Sequence, residues 1–508
     1  MRIDRGSLLY GASILTVSNI ISQLLGFIYR VALSRLITTE ELGLYQMIMP
    51  VYSVVTAFCV SGFTVAVSRL SSEYLALGKT DAVRALVRRC VRFFLVITIV
   101  FAMAVVLFSH GISTPILGDS RTRTALVCLM PVLLLTGIEN IYKNHFYGVG
   151  RIIPPAITEI IEMLARMSAV IGMLLVFRDR DAGHTVALIV IGMIFCEIFS
   201  SVTLFVIYRR SRGRLTGHFP EGLSRKIFSV AVPIALTNVL GNLLSSANSI
   251  LIPARLVAAG WERADALSAL GVLFGMTMPM LTLPMVLIVG LGLVMVPKLS
   301  ESMARGDMRA VRRKIAKAMR VVCTLSMPIA AVFVPLGEEL GRLIFGRSAA
   351  GQYIAPLSIC VTLSAIQGIS GTALNGIDKQ RFSAVNFILG DAVQLFCTYF
   401  FTAIPGVGLR GFIAGQLLGT ALTMTLNLIC VRLQTGLEIR WRSWLITPLV
   451  SSAAAYFAVK YLFAFFSARG PALPAVLFSM IFGVLIYSGL LYLQGIRISA
   501  LIRLRAKD

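Results

Sequence analysis

The chain has 508 residues, 57% of them hydrophobic and 14% charged, with a mean hydropathy of +0.85. Soluble domains run at about 45–50% apolar and about 25% charged, so a water-soluble globule is excluded. Lys and Arg number 47 against 23 Asp and Glu, a formal charge of +24, but the basic residues fall between long apolar runs, which indicates membrane topology rather than nucleic-acid binding.

A bilayer core needs about 20 apolar residues per helix. Such runs occur fourteen times, at about 7–29, 43–68, 91–110, 124–148, 153–177, 184–208, 226–252, 268–296, 319–337, 352–376, 382–404, 407–431, 443–465 and 472–494. The opening Met1-Arg2-Ile3-Asp4-Arg5 leads into the first run without a small-residue cleavage site, so a retained span is expected. The densest basic clusters are Arg84/Arg88/Arg89/Arg92, Arg209/Arg210/Arg212/Arg214 and Arg309/Arg312/Arg313/Lys314/Lys317/Arg320. They lie in alternate loops, and excess positive charge marks the cytoplasmic side, so both termini are expected in the cytoplasm.

In the first span Asn19, Gln23, Gly26 and Arg30 follow one another at helical spacing and share a face. A stripe of that polarity is costly against lipid, so it should face water or other helices. The second span contains Pro50. The fourth carries Glu139 and Lys143, and the fifth Glu159, Glu162 and Arg166, giving two acid–base pairs at i, i+4. Glu197 in the sixth span and Asp391 in the eleventh stand as lone intramembrane acids, which makes Glu139, Glu197 and Asp391 candidates for proton or sodium coupling. The seventh span repeats a polar stripe with Asn238, Asn242, Ser245 and Ser249, and the eighth carries Pro279 and Pro284. Pro50 and Pro279 are candidate hinges. Two Gly-x-x-x-Gly steps, Gly411, Gly415 and Gly419, predict close helix packing in the twelfth span.

The halves resemble each other. Met47-Ile48-Met49-Pro50 matches Met276-Thr277-Met278-Pro279, and Val67-Ser68-Arg69-Leu70-Ser71 matches Val296-Pro297-Lys298-Leu299-Ser300. Gly78 matches Gly306, and Gly148-Val149-Gly150-Arg151 matches Gly376-Ile377-Asp378-Lys379. The offset is nearly constant and spans an even number of helices, so the repeats share one orientation. The expected architecture is an all-α polytopic membrane protein with fourteen transmembrane helices. An N-terminal lobe (1–215) and a C-terminal lobe (216–435), six helices each, precede two extra helices and a basic cytoplasmic tail (436–508).

Function classes narrow accordingly. Eight cysteines are scattered with no Cys-x-x-Cys, the four histidines share no ligand spacing, and no Gly-x-x-x-x-Gly-Lys-Ser/Thr loop occurs. No metal, cofactor, nucleotide-driven motor or nucleic-acid partner is expected. Short loops without acidic motifs argue for a transporter rather than an enzyme.

Leu25-Gly26-Phe27-Ile28-Tyr29-Arg30, then Arg35, Gly43-Leu44-Tyr45-Gln46 and Pro50, followed by Tyr147-Gly148, Pro155-Ala156, Glu162 and Arg166, resembles the stage V sporulation protein B family. That family is similar to the lipid II flippases within the multidrug/oligosaccharidyl-lipid/polysaccharide exporter superfamily. The resemblance implies a flippase of the bacterial plasma membrane that carries an undecaprenyl-pyrophosphate-linked cell-wall precursor to the outer leaflet by alternating access. It implies lipid-linked saccharide and membrane lipids as ligands and cell-wall synthesis enzymes as partners. It also implies substrate contacts at Arg30 and Arg35; Asn19, Gln23, Asn238 and Asn242 of the two polar stripes and the Glu162–Arg166 pair are the further candidates for substrate binding. Gln23 stands where the better-studied lipid II flippases carry arginine. A cation-coupled multidrug antiporter of the same superfamily and a non-transporting scaffold for spore or cell-wall assembly remain alternatives.

Overall fold

A computed structural model describes residues 5–177, 181–211, 222–438 and 441–496. The expected lobe boundary at 215, Arg212 and Arg214 of the second basic cluster, and most of the basic tail lie outside these residues. Among the described residues there is no strand, and fourteen helices are long and apolar enough to cross a bilayer. In chain order they are α1 (Val17–Leu36), α2 (Thr39–Ala76), α3 (Thr80–Leu107), α4 (Thr122–Gly148), α5 (Ile153–Phe177), α6 (Ala182–Ser211) and α7 (Leu223–Ala258). The remainder are α8 (Arg263–Met285), α9 (Met308–Phe345), α10 (Ile354–Gly376), α11 (Gln380–Phe401), α12 (Leu409–Thr435), α13 (Arg442–Ser467) and α14 (Ala472–Leu493). The protein is therefore a multi-pass membrane protein.

Every apolar run became a helix, but several helices outgrow their runs. α3 begins at Thr80, some three turns before the expected 91, and takes in Arg84, Arg88 and Arg89. α9 likewise begins at Met308, where the Asp307 carboxylate accepts from the Ala310 N–H. A hydropathy count stops at the first charges, whereas a helix runs on while one face stays apolar. Here that face is buried: Val83, Leu86, Val87 and Cys90 on α3, and Val311, Ile315 and Met319 on α9.

The chain divides into two compact units, Met1–Ala254 with Glu262–Gly271, and Arg255–Trp261 with Val272–Asp508. In the first unit, Cys59, Phe63, Leu70, Leu86, Phe94, Leu133 and Phe146 form the centre of the core. α7 joins this unit along its length: a Cβ on Gly62 would meet the Ala231 carbonyl oxygen at 2.2 Å, Lys226 Nζ lies 2.6 Å from Glu73 Oε1, and the Ser53 and Ser246 hydroxyls are 3.0 Å apart. The start of α8 joins it too, through Gly43 against Leu267 and Gly271 against Thr39.

In the second unit, Leu299, Ile315, Val322, Ile369, Leu374 and Trp444 are central to the core. Gly411, Gly415 and Gly419 bring α12 onto α11: a Cβ on Gly419 would lie 2.4 Å from the Gly390 carbonyl oxygen. This is the close approach expected of the Gly-x-x-x-Gly steps. α14 is tied to α9 by the Tyr487 hydroxyl, which donates to the Thr324 carbonyl at 2.7 Å.

Each unit contains a like serine contact, with Ser72 rather than the sequence-matched Ser71 standing opposite Ser300: Ser72 Oγ donates to the Gly148 carbonyl at 2.7 Å, and Ser300 Oγ to that of Gly376 at 3.1 Å. The turns that follow are also alike, with Gly150 at φ +75 and Asp378 at φ +60, both left-handed.

The prolines sit beside irregular turns. Pro50 is buried and leaves its helix intact to Thr56, where a π-helical segment, Ala57–Ser61, interrupts α2. In α8 a π-helical segment, Gly271–Thr277, precedes Pro279, and a 3-10 turn, Leu283–Met285, contains Pro284. The helix then resumes over Val286–Ala304. A missing amide donor and a clash with the carbonyl one turn back explain the irregular turns at Pro279 and Pro284; the π-helical segment of α2 lies beyond Pro50, where proline gives no such reason.

Candidate functional site

The acid–base pairs of α4 and α5 belong to one cluster. Lys143 Nζ lies 2.5 Å from Glu139 Oε1 and 3.0 Å from Glu162 Oε2. Arg166 Nη2 donates to Glu162 Oε1 at 2.8 Å and to Glu197 Oε1 at 2.9 Å. Glu162 thus uses one oxygen for each cation and forms the centre of a five-residue chain across α4, α5 and α6. Carboxylate oxygens of Glu139, Glu162 and Glu197 fall within 4.8 Å of one another, and all three residues are buried. Glu197, expected as a lone acid, is instead held by Arg166. Its partner comes from another helix, a contact that spacing along α6 gives no hint of.

The helices deliver these side chains for local reasons. Glu139 and Lys143, like Glu162 and Arg166, are one turn apart and stack on their own helix. α5 and α6 approach closely at Gly192, where a Cβ would fall 2.8 Å from Val170 Cα. Tyr45 and Tyr52 of α2 approach from beside the cluster, donating to Met193 Sδ at 3.8 Å and to Thr136 Oγ1 at 3.1 Å. The Tyr29 hydroxyl of α1 is buried without a hydrogen-bond partner.

The first-span stripe does not enter this cluster. α1 packs onto α5 through Ser18, whose hydroxyl donates to the Ala156 carbonyl at 3.0 Å, and through Gly26 against Met163. Asn19, Gln23 and Arg30, on the same face as Gly26, are all exposed, and among the described residues Arg30 has no ion pair. Arg35, also exposed, sits in the last turn. Asn238 and Asn242 on α7 are half-buried, with the Asn242 amide donating to the Asn238 carbonyl at 2.8 Å. Asp391 on α11 is half-buried and belongs to the second unit. Nearby, α11 and α12 are joined by Asn386, whose amide donates to Asn427 Oδ1 at 2.9 Å.

A second ionic group was not legible in the sequence. Between α3 and α4, Arg121 makes two bonds to Asp119, 3.1 and 2.8 Å, and a third to Glu40 at 2.8 Å. Arg263 at the start of α8 completes the group, 3.9 Å from Asp119 and donating to the Leu117 carbonyl at 2.9 Å. Burial raises the Asp119 pKa, but the Arg121 side-chain and backbone hydrogen bonds outweigh it and leave the carboxyl below its ordinary value. Arg121 is shifted upward, chiefly by its bonds to Asp119. No residue spacing signals these contacts, since they join three separate helix ends.

Comparison with known proteins follows the same lines. Residues 8–303 match the family model described as polysaccharide biosynthesis protein. Stage V sporulation protein B of Bacillus subtilis (strain 168) is 25% identical over 444 residues, covering 86% of each chain. Lipid II flippase MurJ of the same organism is 22% identical over 422 residues, 76% of each. Among solved structures, lipid II flippase MurJ in an inward closed conformation aligns with a TM-score of 0.70 at 13% identity, over 95% of this chain and 98% of that one. An inward-facing multidrug resistance MATE family transporter aligns at 0.69 and 13% identity, over 82% and 94%. These structures share the fold, and the family match extends over more than half the chain. The chain belongs to the polysaccharide biosynthesis protein family.

Proposed function

We propose that this protein is a flippase that moves an undecaprenyl-pyrophosphate-linked cell-wall precursor, lipid II or a related lipid-linked oligosaccharide, from the inner to the outer leaflet by alternating access. Both termini are cytoplasmic in this reading, and no covalent bond of the substrate changes. The observation that carries it is Arg30: a guanidinium within a membrane-spanning helix, exposed, on a face with Asn19 and Gln23, and without an ion pair among the described residues. A cation in a span is costly unless water or an anion meets it. The planar guanidinium suits two-point bonding to phosphate oxygens. Arg35 lies further along the same helix, and Asn238 and Asn242 supply amide donors and acceptors for the saccharide. Similarity to a sporulation protein and to a lipid II flippase supports the substrate class.

Pro50 and Pro279, beside the irregular turns of α2 and α8, serve as hinges. A drug antiporter would present acids rather than arginine to its cationic substrates, so the flippase reading is preferred.

The test is Arg30→Ala in proteoliposomes loaded with lipid II, read by a leaflet-specific assay. Outward appearance of the headgroup should be lost while expression and thermal stability stay unchanged, because Arg30 makes no ion pair among the described residues. Full transport by that variant would overturn the assignment.

A further inference from the structure

The five-residue chain of α4, α5 and α6 has a charge imbalance. Three carboxylates face two cations, which leaves one formal negative charge among buried groups. Both cations pair with particular oxygens, Arg166 through Nη2 alone, while Arg166 Nε is buried without a hydrogen-bond partner. Glu162 bonds through both of its oxygens and Glu197 through Oε1, whereas Glu139 Oε1 is in ion-pair contact with Lys143 but makes no hydrogen bond. Glu197 Oε2 is buried with no hydrogen-bond partner, on a residue only 1% exposed. Beside the cluster the Tyr29 hydroxyl, on a residue 7% exposed, is also unsatisfied and lies within electrostatic reach of Arg166. A bare carboxylate oxygen in that setting is expensive, and the deficit calls for one positive charge.

We propose that the cluster binds a single proton, carried between Glu139 and Glu197, and that this proton is exchanged during the transport cycle. The second half of this statement rests on the flippase reading above; the first half does not. A proton fits better than a metal ion. Hard monovalent or divalent cations want several oxygens at once, and here Lys143 and Arg166 already occupy the Glu162 oxygens and one oxygen each of the other two. A proton needs only one donor oxygen and one acceptor. Protonation converts the close approach of two acids from repulsion into a hydrogen bond and brings the cluster to neutrality.

The titratable and charged groups around the pair are Lys143 and Tyr147 on α4, Glu162 and Arg166 on α5, and Cys196 on α6. From α2 come Tyr45 and Tyr52, and from α1 Tyr29; Arg30 interacts with Tyr29 and Tyr45 and makes no ion pair with the acids among the described residues. The tyrosines and the cysteine are neutral near pH 7, so the balance of the cluster is decided by the three acids and two bases.

The test uses infrared absorption of the purified full-length protein in lipid nanodiscs at neutral pH. A protonated carboxyl absorbs apart from a carboxylate and shifts on deuteration. The expected spectrum contains such a band, insensitive to added sodium chloride, lost in both Glu139→Gln and Glu197→Gln and retained in Asp391→Asn. Absence of the band, its persistence in both Gln variants, or its removal by sodium would overturn the proton site. Thermal melting gives a second readout. Glutamine mimics the protonated form, so Glu197→Gln should melt like the parent, whereas Glu162→Gln, which uncouples both cations, should melt lower. Equal losses in the two variants would count against the proposal. In vesicles, an imposed pH gradient should change transport by the parent several-fold and leave transport by Glu197→Gln unmoved. A band without any gradient effect would remove the coupling role while keeping the proton site. Failure of the flippase reading would show separately, as full transport by Arg30→Ala.

Discussion

Gly43 of α2 lies against the backbone of Leu267 of α8 so closely that a Cβ on the glycine would fall 2.0 Å from the Leu267 carbonyl oxygen. The reciprocal contact is Gly271, whose Cβ would meet the Thr39 carbonyl oxygen at 2.2 Å. Backbone cannot swing aside as a side chain can, so Gly43→Ala must push the two helix ends apart. Overpacking of this kind costs about 1–3 kcal/mol, and a thermal melt of the variant in detergent should show the loss. Gly172→Ala, with nothing within 4 Å of its Cβ, is the matched control and should leave the melt unchanged or slightly higher, since alanine favours helix.

Asp119 predicts a pH effect. Its carboxyl is held below the ordinary value in the folded protein, so the unfolded chain binds the proton more readily. Its contribution is complete above the unfolded carboxylate pKa and disappears as the pH falls through the lower folded value. Melting temperature should therefore decline between about pH 5 and about pH 2, and the slope should be shallower in Asp119→Asn. An unchanged slope would show that the ties to Arg121 and Arg263 do not bear on stability.

Lys143 predicts an asymmetric pair of variants. It sits between Glu139 and Glu162, so Lys143→Met leaves two buried acids with Arg166 as their nearest remaining cation. Removing one partner of a buried ion pair costs about 3–5 kcal/mol. The double variant Lys143→Met with Glu139→Gln should recover a substantial part of that loss, as read by melting of the purified protein.

Asp378 holds a left-handed backbone at φ +60 where glycine occupies the matching turn at Gly150. Asp378→Gly should change stability by no more than about 0.5 kcal/mol, because aspartate tolerates this region and glycine does so freely. Asp378→Val should cost about 1–2 kcal/mol, since a β-branched side chain is crowded there. Melting curves of the two variants side by side would decide it.

The membrane architecture was legible in the sequence because an apolar run of bilayer length admits few other structures. The Gly411–Gly415–Gly419 ladder was legible for a similar reason, as small residues one turn apart describe a surface by themselves. The two i, i+4 pairs, Glu139–Lys143 and Glu162–Arg166, could also be read from spacing. Their union with Glu197 could not, because it depends on which faces of three helices meet. Gly43 gave no signal either: a single glycine before an apolar run has many explanations, and only the carbonyl of Leu267, distant in the chain, gives it a reason. The Arg121 network joins residues from three helix ends, where sequence distance carries no information about proximity. Helix starts were misplaced at α3 and α9 because charge and helix termination are independent events.

The Tyr487 bond to the Thr324 carbonyl has a practical corollary. It sits in a small apolar patch made by Ala331, Ala455, Tyr487, Leu491 and Ile496, so α13 and α14 are mortared into the wall of α9. Shortened versions of the chain made for crystallisation should keep residues through 496, since trimming at 435 would strip the lining from α9 and leave a sticky scar.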